Sequence, residues 1–240
     1  MTNGATSPLD VDARAKSLRR VQGDVRWAGL RTDRSLPVPP ALTGLLPDRG
    51  LMPGSIYSVT PGALLLALLA EPSRAGSWCG VIGLPELGAE AAEQAGLSLD
   101  RTALVPRPGE RWFAITAALA EVLPVVAVRP GNRVREADAG RLAARLRNSG
   151  TVLLVAGTWP RVEATLSVSA PRWSGVGAGH GYLTSRDVLV TVTAKRLPAP
   201  RQARVVLPDG TGRLAAASDS SPVPTGQLVQ PDEAPLRVVS

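Results

Sequence analysis

The turn Thr60-Pro61-Gly62-Ala63-Leu64-Leu65 is the first place to look for chemistry. It joins a strand pattern to a helix pattern, the position where a phosphate-binding loop would stand. Such a loop needs G-x-x-x-x-G-K-[ST]: backbone N–H groups cradle phosphate, the Lys neutralises it and the hydroxyl holds Mg²⁺. Here there is one glycine, and leucines stand where the Lys and hydroxyl would fall. The turn is also too short to wrap a phosphate. The apolar run Val125–Val128 should end in a metal-holding Asp; it ends in Arg129. After Trp78–Leu84, Glu86 is the carboxylate nearest to where a water-activating base would sit. It fits better as the first-turn acid of the helix that follows. These residues supply no catalytic, cofactor-binding or metal-binding set, so the expectation is a non-enzyme without cofactors.

The elements around this turn follow from periodicity. Strands are expected at Ser55–Thr60, Trp78–Leu84, Thr102–Val105, Pro124–Arg129 and Thr151–Ala156. Helices are expected at Ala63–Ala70, Glu86–Ala95, Trp112–Leu123 and Ala137–Arg147, the last with Leu142 and Leu146 at i,i+4. Apolar strands alternating with helices imply a parallel sheet covered on both faces. After Trp159 the period drops to two. Thr165–Ala170, Asp187–Lys195 and Arg201–Leu207 read as antiparallel strands extending the sheet.

Composition sets the outer bounds. Apolar residues are 44% of 240, enough for a real core, while aromatics are 3%, so Leu, Val and Ala must build it. The net charge is +7 and the pI about 10.8, which favours acidic partners, nucleic acid first. Lys16 and Lys195 are the only lysines, so the charge is almost all Arg, the better residue for phosphate forks and interfaces. With one cysteine, Cys79, and one histidine, His180, no intrachain disulfide forms and a Cys/His metal site has little support. Cys79 reads as a small core residue. The aliphatic run Ala63–Ala70 is too short to span a bilayer and the start is polar, which fits a soluble, cytoplasmic protein.

Three regions are expected. Residues 1–44 form an arm with one helix, Leu18, Val21 and Val25 on its apolar face, and a proline-rich linker, Pro37-Val38-Pro39-Pro40. Residues 45–210 form the α/β core. Residues 211–240 read as a disordered tail with apolar islands at Leu228-Val229 and Leu236–Val239. Leu18, Val21, Val25, Leu228, Val229, Leu236 and Val238 are candidate partner contacts.

Taken in order, several segments resemble the RecA-like core. They are Leu51–Ile56, Gly76–Ile82, Gly96–Val105 with its G-(x)-D-x-x-x-L passage, Arg141–Leu146, Thr151–Val155 and Asp187–Leu197. The resemblance covers roughly residues 45–210 and implies a mainly parallel central sheet flanked by helices, with a degenerate P-loop. Within that superfamily the leading helix, the Arg-rich composition and the tail most resemble the actinobacterial ImuA-type mutasome accessory proteins. That likeness implies support of error-prone translesion synthesis after DNA damage in the SOS response, with nucleoid association. Its implied partners are an ImuB-type Y-family-like adaptor and, through it, a C-family error-prone polymerase and the sliding clamp. A SulA-like cell-division inhibitor, or a weakly DNA-binding RecA paralogue modulating recombination, are the alternatives. In RecA-like proteins two loops after later core strands hold DNA. The matching segments carry Arg133 and Arg135, and Arg161. These can touch phosphate, and they fit solvated charge or partner contact equally well. Trp159 and Trp173 can stack on bases, or serve as core or interface.

Overall fold

A computed structural model describes residues 35–174 and 185–217. Nine strands form one sheet in the order β3-β2-β4-β5-β1-β6-β7-β8-β9. The parallel part comprises β1 (Ile56–Val59), β2 (Cys79–Ile82), β3 (Thr102–Val105), β4 (Val125–Val128) and β5 (Val152–Ala156). β6 (Ala164–Ser174) lies parallel to β1, and β7 (Ser185–Ala194), β8 (Arg201–Val206) and β9 (Ala215–Ala216) follow antiparallel. The helices are α1 (Pro40–Thr43), α2 (Ala63–Arg74), α3 (Ala89–Ala95), α4 (Trp112–Leu119) and α5 (Glu136–Ser149). The protein is therefore α/β, with a mostly parallel central sheet, antiparallel strands at one end and flanking helices.

The parallel strands are short, and the central ones are buried on both faces. In β4 every residue is buried, and alternation divides them between two cores. Val125 and Ala127 join Tyr57, Leu65, Leu68, Cys79 and Leu154 beneath α2. Val126 and Val128 join Leu153, Trp112, Leu142 and Leu146 beneath α4 and α5. Helix α2 is apolar nearly all round, as a helix between a sheet and further chain must be. Glycines in the left-handed region end α3 at Gly96 and α5 at Gly150.

Both ends of the core run further than the sequence suggests. Pro37–Pro40 is not a free tether: Leu36, Val38, Leu42, Leu45 and Leu46 are buried in the first core. Leu36 and Leu51 exchange backbone hydrogen bonds of 2.7 and 2.9 Å. The prolines hold the chain extended, and that lays alternate apolar side chains onto the sheet. Arg196 then clamps the segment, bonding Asp48 and, at 2.7 Å, Glu163. At the other end Ala215–Ala216 pairs with β8 as β9. Asp209 sets up that return by accepting bonds from the N–H groups of Thr211 and Arg213 at 2.8 and 2.9 Å. Helix α3 starts at Ala89, not Glu86, because Glu86 belongs to the preceding turn.

Two buried polar groups make the fold sensitive to alkali. Burial pushes the Tyr57 hydroxyl and the Cys79 thiol each up to about 12. Cys79 is a core residue with no surface exposure. Both folded values lie above the unfolded ones. Their contribution is complete below the unfolded values and is lost as pH rises through about 12. Urea midpoints should therefore hold through neutral pH and fall between about pH 9 and 12, less so in Tyr57→Phe. Separately, Leu68→Ala, at a position with 0% exposure, should cost about 2–5 kcal/mol in urea unfolding.

Candidate functional site

Parallel sheets bind ligands at the carboxyl ends of their strands, where neighbouring strands send their connections opposite ways. The strand order makes two such places. β1 connects toward β2 while β5 crosses over β1 to β6. β2 connects outward to β3 while β4 returns to β5.

The β1–β5 place is closed by internal hydrogen bonds. Thr60 Oγ1, which opens the turn after β1, accepts the Val168 N–H at 3.2 Å. Ser58 Oγ donates to the Gly157 carbonyl. The Gly157 N–H bonds back to the Val59 carbonyl at 3.3 Å. Gly62, at φ +99°, supplies the left-handed bend that launches α2. Leu64 and Leu65 point into the core, at 1% and 2% exposure. The Ser58 and Thr60 hydroxyls at this place are thus bonded within the fold.

The β2–β4 place is open. A cleft of 540 Å³ lies there, lined by Gly83, Pro85, Pro106, Pro108, Trp112 and Arg129 among others. Gly83 has φ +72°, and a Cβ there would meet the Arg129 carbonyl at 2.8 Å. Trp112 is buried against the second core and its Nε1 donates to Asn132 Oδ1 at 3.3 Å. At the mouth Arg129 and Glu86 form an ion pair. A hydrogen bond from Arg129 holds the Glu86 carboxyl below its ordinary value. The residues at the expected metal-acid and water-base positions are therefore bonded to each other. Glu86 is neither free nor a first-turn acid. Each was visible in the sequence alone; their pairing needed the adjacency of β2 and β4.

Arg133, Arg135 and Arg161 do gather at this end of the sheet. Arg133 and Arg135 are exposed on the segment between β4 and α5, and Arg135 is the residue before the first turn of α5. Arg161 follows β5, and its guanidinium bonds Glu136 at 3.2 Å, which brings the two arginine segments together. Arg107 and Arg111, exposed after β3, extend the rim and were not singled out from sequence. The two tryptophans separate. Trp159 is 4% exposed and packs edge-on to Trp112 at 6.3 Å, so it is core and cannot stack on a base. Trp173 is 57% exposed. Leu18, Val21, Val25, Leu228, Val229, Leu236 and Val238 lie outside the described residues, as does His180.

Among the described residues no group of His, Cys, Asp and Glu could hold a metal ion, and no helix is long and apolar enough to cross a membrane.

Residues 44–161 match the family described as MT3502 N-terminal domain. That stretch runs from the end of α1 through β5 and includes the cleft and the arginine rim. A Mycobacterium tuberculosis protein described as uncharacterized protein Rv3395c is 35% identical over 128 residues. The match covers 49% of this chain and 63% of that protein, so the chain spans under two thirds of the relative's length.

Two substitutions test this geometry. Arg129→Met should let the Glu86 carboxyl rise to its ordinary range, read by NMR titration, with little loss of stability because the pair is half exposed. Leu65→Lys should destabilise the protein by several kcal/mol, because it puts an unpaired ammonium into a 2%-exposed position. An unchanged urea midpoint would show that the turn after β1 still has room for a polar group.

Proposed function

We propose that this chain is a non-catalytic RecA-like accessory protein of an SOS-induced mutasome, a scaffold that binds an ImuB-type adaptor and so supports error-prone translesion synthesis. The observation that carries the reading is the closed β1–β5 place. Thr60, Ser58 and Gly157 are bonded to one another's strands, and Leu64 and Leu65 are core. In a RecA-like protein a nucleotide's phosphates would need those groups. The Arg129–Glu86 pair supports the same view, because metal and water would need two uncommitted carboxylates there. With the site spent on folding, function belongs to surfaces and termini.

The adaptor is then held by apolar residues of the termini, Leu18, Val21, Val25, Leu228, Val229, Leu236 and Val238 being the candidates. Pull-down with the adaptor's C-terminal region should succeed with the full chain. It should weaken in variants lacking residues 1–34 or 218–240. Failure to capture the adaptor, with filamentous growth on overexpression, would turn the assignment toward a SulA-like division inhibitor.

Nucleotide binding offers an independent check. ATP should bind no tighter than about millimolar, roughly 4 kcal/mol, by calorimetry. Micromolar binding would return the chain to the ATPases. Weak binding of duplex DNA through Arg133, Arg135 and Arg161 should fall steeply with salt, and replacing all three with Ala should lower the salt slope by about three.

A further inference from the structure

The longest strands are the two that leave the body of the sheet. β6 pairs with β1 only through Ala164–Leu166, and Val168 makes the last contact, to Thr60. Beyond it β6 continues to Ser174, paired only with β7. Since β6 runs parallel to β1, this extension lies toward the carboxyl end of the sheet, the end that carries the arginine rim, and β8 lines the other side of β7 as far as Asp187. A register shift lies between Ser169 and Arg172, where Ala170 has φ +46°. Such bulges turn a strand and re-aim the side chains that follow.

What the bulge re-aims is Trp173. Its cross-strand partner is Arg186, whose guanidinium lies 5.4 Å from the ring centroid. Arg186 is held there, because its Nε donates to the Leu207 carbonyl at 2.9 Å. One ring face therefore meets a fixed cation, and with the residue 57% exposed the rest of the ring is open. Arg172, the residue before it, is exposed and stands opposite Asp187, on the other face of the strand.

We propose that Trp173, with Arg186 behind it, is a base-stacking platform for single-stranded nucleic acid. A protein interface would surround an anchor tryptophan with further apolar surface. Here the other exposed large apolar side chain among the described residues is Leu104, on β3 at the far end of the sheet. An exposed indole backed by a guanidinium instead matches the two chemistries of an unpaired nucleotide: the ring takes the base face and the positive charge favours phosphate. The strand would then continue toward the arginine rim on the same end. This site lies outside residues 44–161, and it does not depend on the mutasome reading.

The test uses the full chain and a fluorescein-labelled oligodeoxythymidylate, read by anisotropy at several salt concentrations. Trp173→Ala should weaken binding roughly tenfold, with the salt slope unchanged because stacking releases no ions. Trp173→Phe should keep most of the affinity. Duplex DNA of the same length should be indifferent to Trp173→Ala, since its bases are already stacked. Wild-type oligonucleotide affinity in Trp173→Ala, with an unchanged circular dichroism spectrum, overturns the proposal. So does loss of adaptor capture in that variant with oligonucleotide binding intact, which would assign the ring to a protein interface.

Discussion

The fold depends on covering both faces of a parallel sheet only four or five residues deep with a nearly aliphatic side-chain set. Strands this short offer two inward residues per face. Every one of them must therefore be large enough to pack yet small enough to let a helix approach. Val, Leu and Ala meet that requirement in β4 and β5, and the few aromatics go where bulk is needed: Trp112 and Trp159 fill the space beside α4 at the sheet's carboxyl end. The same shortage explains the extended first segment. Leu36, Val38, Leu42, Leu45 and Leu46 complete a core that α2 and α3 do not close alone.

That constraint decides what the carboxyl ends can do. A helix that binds phosphate at its start must leave its first turn hydrated and its hydroxyls free. Helix α2 instead buries its first turn through Leu64 and Leu65, and the turn before it is tied to β6 by Thr60. Two adjacent strands further along, the opposite charges of Glu86 and Arg129 meet across the mouth of the open cleft. At one crevice the polar side chains are bonded within the fold, and beside the other an arginine and a carboxylate are paired.

Most of the parallel half was legible because its signals are local. β3 is bounded by Thr102 and Val105 in both readings, and β1, β2, β4 and β5 differ by one or two residues at their ends. Sequence patterns fail where a residue's role is set by a neighbour distant in the chain. Pro37–Pro40 reads as a linker until the sheet surface beneath it is known. Ala215–Ala216 carries no strand pattern; β8 makes it one. Glu86 looks like a helix cap until β4 is placed beside β2. The equivalence of Trp159 and Trp173 is broken only by tertiary packing, which buries one ring against Trp112 and leaves the other exposed on β6.

The division of labour along the chain follows from these same forces. Residues 44–161, shared with the matched family, hold the parallel sheet and both crevices, where polar groups are consumed by the fold. Among the described residues, the arginines of the rim and the far ends of β6 and β7 are exposed and not needed for packing. An antiparallel arm can project because its backbone is satisfied by its own partner strand, so it needs no helix to cover it. A parallel strand of equal length would expose unpaired or uncovered surface. The antiparallel extension carries the exposed ring of Trp173.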